Sequence, residues 1–422
     1  MAFVVKKFGG SSVATPEKIY HLVDRVLAEK KPDDKIVIVV SAMGDTTDDL
    51  LALAGRITEH MPKREMDMLL ATGEQVSIAL LATAFMERGQ KAISFTGFQA
   101  GIRTNASFTK ASILEVNAGR VKKALDEGNI VIVAGFQGIT DEGDITTLGR
   151  GGSDTTAVAV AAGLKADICE IYTDVDGVYT ADPRVVPNAI KLKEITFGEM
   201  LELARLGAGV MQPRAVEYGE LTGTDIHVRS TFNRVEGTII RGEYTMMEEK
   251  KFIIRGVASD SNVAKIAVRG VPDVPGVAYQ IFDALAKENI AVDMIVQSAS
   301  NVKEKNDIVF TVTKTDMADT VGVLEQLKGK IGFVRVDVEA NVAKVSIVGA
   351  GMLGNPGVAA RMFGALASEK INLDVISTSE ITISCLIAKE DEKKAVNVVH
   401  RFFFPTEEKS GLHRSCGVVG TD

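Results

Sequence analysis

Through the first ~240 residues, short β-branched apolar runs alternate with stretches of helical periodicity, the pattern of a sheet covered by helices. Phe3-Val4-Val5 reads as a buried strand, and Ile36 to Val40, Ile130 to Ala134 and Ile168 to Tyr172 read as three more. Each run ends in polar residues or glycines: Lys7 to Ser12, Ser41-Ala42-Met43-Gly44, Gly135-Phe136-Gln137-Gly138 and Thr173-Asp174. Open α/β sheets place their ligands at those carboxyl ends. Thr15-Pro16-Glu17 marks a helix start, with Thr as N-cap and Pro at the first helical position. Met66 to Arg88 predicts a long helix whose apolar face is interrupted by Glu74.

The texture changes at Glu243 to Lys251, a charged segment that marks a domain boundary. Beyond it the chain repeats itself. Pro275 to Ser298 and Pro356 to Ser379 match at 13 of 24 positions with an offset of 81, and Val263-Ala264-Lys265 matches Val342-Ala343-Lys344 with an offset of 79. The second copy therefore has a loop two residues longer. Each unit reads strand, helix, strand, strand, helix, strand. The repeat also disposes of a false motif, the GxGxxG pattern from Gly349 to Gly354. The first copy has no such glycines in that loop, and too little chain follows for a second nucleotide-binding half.

Composition narrows the class. A net charge of -8 and no basic stripe argue against nucleic acid as a partner. The start lacks a signal-peptide layout, and the nearest approach to a membrane span is the short run Ala157 to Leu164. Cys169, Cys385 and Cys416 are scattered, odd in number and without metal-ligand spacing, which fits a reducing, cytoplasmic setting.

The chemistry concentrates in residues 3 to 13. A strand delivers Lys7, glycines follow, and a helix starts just beyond, which together make an anion site. The order differs from the Walker pattern, whose lysine follows the glycines. A plain strand-to-helix turn is the alternative reading of this segment alone. Lys6 should point to the other side of the strand, where a solvated lysine is expected.

Lys7-Phe8-Gly9-Gly10-Ser11-Ser12-Val13 resembles the signature of the aspartokinases, a branch of the amino acid kinase family. The resemblance continues through Ser41 to Gly44, Thr72-Gly73-Glu74, Gly149 to Asp154 and Thr173 to Arg184, the last being shared with glutamate and uridylate kinases. The C-terminal repeats resemble a pair of ACT domains, small amino-acid-sensing modules. The fold this implies is α/β: a three-layer αβα kinase domain with a mainly parallel sheet over 1–245, then two βαββαβ ACT-like domains over 261–340 and 341–422. Residues 246–260 are a linker and a candidate strand of the second unit.

The implied activity is transfer of a phosphoryl group from ATP to the β-carboxylate of L-aspartate, the first step toward lysine, threonine and methionine. That carboxylate is ionised at neutral pH, so no general base is needed. Lys7, Glu74 and Asp154 are the implied catalytic residues, Lys7 neutralising the phosphoryl group and Asp154 orienting Lys7. Asp154 also stands where a helix N-cap would. Ser41, Thr47, Glu74, Arg150, Gly151, Gly152 and Ser153 would hold the acceptor, with Glu74 on its α-amino group and Arg150 on its α-carboxylate. Phe8, Gly9, Gly10, Ser11, Tyr172, Thr173, Asp174, Tyr179, Asp182 and Arg184 would join Lys7 in the nucleotide site. No metal cage is visible, so Mg²⁺ is expected to arrive on the nucleotide. Many relatives carry a lysine where this chain has Gly209.

For the repeats, the resemblance implies feedback by lysine, threonine or both. The expected effector residues are Asp273, Pro275, Gly276, Val277, Ala278, Asp293, Met294 and Gln297 in the first copy. In the second they are Asn355, Pro356, Gly357, Val358, Asn372, Asp374, Ser379 and Glu380. Pairing through the ACT domains predicts a homodimer, or a tetramer with a shorter subunit begun at Met246 or Met247. A glutamate kinase-like enzyme and a non-catalytic amino-acid sensor are the competing readings.

Overall fold

The computed structural model describes residues 2–244, 252–299, 305–352 and 355–405; Met246 and Met247 lie outside them. Eight strands form the larger sheet, in the order Glu194–Thr196, Thr238–Arg241, Ile226–Ser230, Ile168–Thr173, Phe3–Phe8, Lys35–Val40, Ile130–Ala134 and Ala92–Phe95. Every neighbouring pair is parallel except Ile226–Ser230 with Thr238–Arg241. The buried apolar runs of the sequence are its central strands, as a two-faced sheet requires. On one face, Ile19, Leu22, Val23 and Val26 of helix Pro16–Glu29 and Ile78, Leu81 and Phe85 of helix Lys63–Glu87 pack on Phe8, Ile38, Val40 and Ile132. Helix Gly152–Leu164 packs on the strands Phe3–Phe8, Lys35–Val40 and Ile168–Thr173. A small four-stranded sheet, with Gln137–Ile139 and Ile145–Thr147 at one side, lies beside helix Lys63–Glu87.

That 25-residue helix is long and apolar enough to cross a membrane by length and composition, which the sequence reading did not anticipate. Its role here is different. It carries buried Asp67 and Glu74 and packs against the sheet.

Described residues gather into two compact units, and the division departs from a single boundary near residue 245. Tyr179–Ile190 and Leu206–Ala208 fold with the chain from Phe252 onward rather than with the kinase sheet. The second unit contains two antiparallel four-stranded sheets. One runs Ile295–Ala299, Lys305–Thr313, Val263–Pro272, Arg335–Glu339, the other Gly256–Asp260, Val342–Val348, Thr382–Ala388, Ile376–Thr378. The strand order is the same in both repeats. In the second, however, the strand equivalent to Arg335–Glu339 is Gly256–Asp260, which precedes the first repeat and pairs antiparallel with Val342–Val348. The first repeat is thus inserted into the second. The glycines of the false motif have a packing reason. A Cβ at Gly349 would stand 2.5 Å from the Ile254 Cα, and one at Gly351 would stand 2.7 Å from the Ile253 carbonyl oxygen.

The two repeats meet through a small apolar cluster of Val263, Met294, Val342, Val375 and Leu386. Crossed ion pairs flank it: Lys265 of the first repeat with Asp374 of the second, and Lys344 of the second with Asp293 of the first. These are the matching positions of the internal repeat, so the bridges are related by its pseudo-twofold symmetry.

Candidate active site

Lys7 lies one residue before the end of a central strand, and alternation along that strand sends it toward helix Gly152–Leu164. Asp154, in the first turn of that helix, meets the Lys7 ammonium at 2.7 Å. Gly151, at φ 70°, is the N-cap, so Asp154 does not cap the helix but faces the lysine. Beyond Lys7 the chain makes a tight turn against the Ser41–Gly44 loop. A Cβ at Gly10 would lie 2.6 Å from the Ala42 carbonyl oxygen, which only glycine avoids. The Gly44 N–H donates to the Gly10 carbonyl at 3.1 Å. Ser41 Oγ donates to Ser153 Oγ at 3.0 Å, and the Ala42 N–H donates to Glu74 Oε1 at 3.1 Å. A continuous chain of contacts therefore runs from Lys7 through Asp154, Ser153, Ser41 and Ala42 to Glu74.

Glu74 is 2% exposed, in the middle of its helix. Burial pushes its carboxyl up to about 7, against the pull of the backbone donors on its oxygens. Its second oxygen, Oε2, is buried without a hydrogen-bond partner among the described residues. Such an atom is costly unless a ligand completes it. Arg150 is exposed in the turn after Gly149 and makes no ion pair among the described residues. Thr47 is half-buried in the first turn of helix Thr46–Gly55. An acid with an unmet oxygen and an uncommitted guanidinium can together receive an ammonium and a carboxylate.

The other face of the first strand corrects two expectations. Lys6 does point away from Lys7, but it is buried, not solvated. It donates to Glu170 at 2.5 Å and to Glu29 at 3.1 Å, and Arg229 joins at 2.9 Å from Glu170. Tyr172 is part of the same network, its hydroxyl donating to Glu29 and Glu170 and pushed up to about 12 by burial. Its ring stacks on Phe8 at 4.4 Å. Neither ring presents a surface to a nucleotide, so Phe8 and Tyr172 can contribute only backbone. Sequence reading missed this network, and also Asp67 and Arg214. Buried Asp67 accepts from the Thr109 and Thr147 N–H groups, and Arg214 donates to the Leu148 and Ala111 carbonyls. Both fix the loop that carries Arg150.

Of the remaining residues expected at the nucleotide, Ser11 and Asp174 are exposed, and Thr173 Oγ1 donates to Asp174 at 3.0 Å. Tyr179, Asp182 and Arg184 belong to the second unit, where Arg184 forms a fork on Asp182 with Nη2 at 2.8 Å. A Cβ at Gly209 would meet nothing within 4 Å, so the missing lysine leaves open space.

In the first repeat, a cavity of about 320 Å³ is lined by Asp273, Pro275, Gly276, Val277, Ala278 and Gln297, together with Asn306 and Ile308. Asn306 donates to Asp273 at 2.8 Å, and Gly276, at φ 93°, starts helix Val277–Lys287 at the cavity's edge. Asp293, Met294 and Asp374 are not in it: the two acids hold the crossed lysines, and Met294 is buried between the repeats. In the second repeat Gly357, also at φ 93°, starts helix Val358–Ser368. Asn355 donates to the Gly351 carbonyl, and Asn372, Ser379 and Glu380 are exposed.

A family model described as the amino acid kinase family matches residues 2–230, and one described as the ACT domain matches 266–327 and 345–403. The aspartokinase of Bacillus sp. (strain MGA3) is 51% identical over 403 residues, covering 96% of this chain and 97% of that protein. The aspartokinase of Mycolicibacterium smegmatis is 51% identical over 405 residues, covering 96% of each. Among solved structures, E. coli aspartokinase III in complex with aspartate and ADP (R-state) matches with a TM-score of 0.80 and 28% identity, covering 95% of this chain and 100% of that one. The same enzyme in complex with lysine and aspartate (T-state) matches with a TM-score of 0.76 and 28% identity, covering 95% of this chain and 99% of that one.

Proposed function

The chain belongs to the amino acid kinase family and, within it, to the aspartokinases, and from that membership we propose how its residues carry the reaction. The enzyme uses ATP to phosphorylate the β-carboxylate of L-aspartate, giving 4-phospho-L-aspartate. The observation that carries the residue assignment is the buried, half-partnered Glu74 at the end of the contact chain from Lys7. Glu74 receives the substrate ammonium and Arg150 its α-carboxylate, while Ser41, Thr47 and the 151–153 turn orient the side-chain carboxylate. Lys7, held by Asp154, neutralises the charge on the transferring phosphoryl group. Phosphoryl transfer asks mainly for positioning and charge neutralisation, and an acceptor with a pKa near 3.9 needs no base.

Thr173 and Asp174 contact the nucleotide, with Gly9, Gly10 and Ser11 offering backbone to its phosphates. Mg²⁺ enters on the ATP phosphates with its own waters. Turnover in a coupled assay with aspartate, glutamate or uridylate as sole acceptor tests the reading. Activity on aspartate alone is the expected result, and a preference for either other acceptor overturns it.

The repeats make the enzyme responsive to end-product amino acids, with lysine, threonine or both as effectors. The cavity at Pro275 to Ala278 receives one, its carboxylate at the start of helix Val277–Lys287. Gln297→Ala should raise the effector concentration for half-inhibition about fivefold or more, read from inhibition curves with lysine and threonine together. An unchanged curve would move the effector elsewhere. We place the protein in the cytoplasm, as a homodimer through its ACT domains or a tetramer with a shorter second subunit.

A further inference from the structure

The charge network around Lys6, on the far side of the strand from Lys7, does not balance. Lys6 and Arg229 meet Glu29 and Glu170 there, and Arg25 of helix Pro16–Glu29 joins them with its Nε 3.4 Å from Glu29 Oε1 and its guanidinium 4.8 Å from the centre of the Tyr172 ring. Burial opposes ionisation of the two acids, but Lys6 and Arg229 hold both carboxyls below their ordinary value, so both are charged at neutral pH. Tyr172 keeps its proton, and burial holds the His227 imidazole, 4.0 Å from Glu170, toward its neutral form. Three cations against two anions leave one positive charge over.

The surplus falls on Arg25, which is 6% exposed. Its Nη1 donates to the Thr231 carbonyl at 2.5 Å, but its Nη2 is buried without a hydrogen-bond partner among the described residues. A guanidinium left so is costly. Arg25 lines a cavity of about 30 Å³, room for one or two water-sized particles. Ser12 and Thr231, both buried, line it too, and their hydroxyls, 3.1 Å apart, share one hydrogen bond, which leaves one of the two protons to donate elsewhere. Lys18 and His21 complete the wall, one and two turns before Arg25 on the same face of the helix, and both are exposed. Among the described residues no acid lines the cavity, Lys18 and His21 make no ion pair, and nearby Asp24 is committed to Arg88.

We propose that this cavity binds a monatomic anion of chloride size, which supplies the missing negative charge beside Arg25 and accepts the spare hydroxyl of the Ser12–Thr231 pair. A water would fit the same volume but leave the charge uncompensated. Lys18 and His21 draw anions to the mouth. The Thr231 N–H donates to the Thr173 carbonyl at 2.8 Å, so through Ser12 and Thr231 the ion braces the ends of strands Phe3–Phe8 and Ile168–Thr173.

The test is thermal unfolding of the full chain in sodium chloride and in sodium gluconate at equal ionic strength, gluconate being too large for the cavity. The Tm should be higher in chloride by about 2 °C or more, as expected of a ligand bound only by the folded state. Arg25→Gln should remove the difference between the two salts, whatever it does to the Tm itself. Lys18→Ala combined with His21→Ala, both at exposed positions where folding is not at risk, should raise the chloride concentration needed for half the effect about threefold. Crystals of the wild-type chain grown in sodium bromide should show an anomalous peak in the cavity, and the peak should persist with ADP bound. Equal Tm values in the two salts, or a chloride effect that survives both variants, would overturn the proposal. So would a cavity without bromide, which would then hold water, or a peak that ADP displaces, which would make the cavity part of the nucleotide site.

Discussion

Lys7→Ala is expected to lower turnover by about 10²–10³-fold with the fold retained. The ammonium is largely desolvated, its side chain 13% exposed, and Asp154 is its counter-charge at 2.7 Å. Removing Lys7 therefore does two things. It deletes the cation that meets the developing negative charge, and it leaves the Asp154 carboxylate uncompensated where a polyanion must approach. Lys7→Arg should not rescue the loss, since a planar, forked guanidinium does not replace a compact ammonium as a point charge shared by Asp154 and the phosphoryl group. Asp154→Asn should cost less, because the lysine survives. Steady-state kinetics with circular dichroism on each variant checks this. Retention of more than a tenth of the wild-type rate in Lys7→Ala would remove Lys7 from the reaction.

How much of this was legible in the sequence depends on the range of the signal. The central strands were readable because a buried parallel strand is a local apolar run, and the helix start at Thr15-Pro16 because capping is local too. The structure gives Pro16–Glu29, with Thr15 accepting from the Lys18 N–H. Lys6 shows the limit. Period-two alternation placed it correctly on the far face, but whether that face is wet depends on helix Pro16–Glu29 and on Glu170, 164 residues away. A strand pattern carries no information about either, nor about the burial of the Tyr172 ring against Phe8. The 179–190 segment was assigned to the kinase domain by its neighbours in sequence. Only the packing of Ala181 and Val186 among residues more than 150 positions later reveals its other allegiance. The identical logic hid the fate of Asp293 and Asp374, whose lysine partners lie in the opposite repeat.

Glu74→Gln should make the free enzyme more stable and far worse at binding aspartate. The folded-state pKa of about 7 lies above the ordinary carboxyl value of 4.5, so the folded protein holds this proton more tightly than the unfolded chain does. The stability tied to that proton is fully present below about pH 4 and is lost as pH rises through about 7. At pH 8 the native site consequently holds an ionised, buried carboxylate with one oxygen unmet. The shift of 2.5 (7 minus 4.5) corresponds to roughly 3 kcal/mol at 1.36 kcal/mol per unit. A glutamine, never charged, should recover about 2 kcal/mol of it at pH 8 and almost none at pH 5, read from denaturant unfolding at both values. The same charge is what the substrate ammonium needs. Aspartate binding should pull the Glu74 pKa down and release a proton near pH 7, visible as a dependence of the calorimetric binding enthalpy on the buffer's ionisation enthalpy. Glu74→Gln should abolish that release and raise the KM for aspartate on the order of 100-fold, since a buried charge pair is lost on one side. A variant that gains stability at pH 8 yet binds aspartate normally would leave Glu74 as a strained core acid and send the ammonium elsewhere.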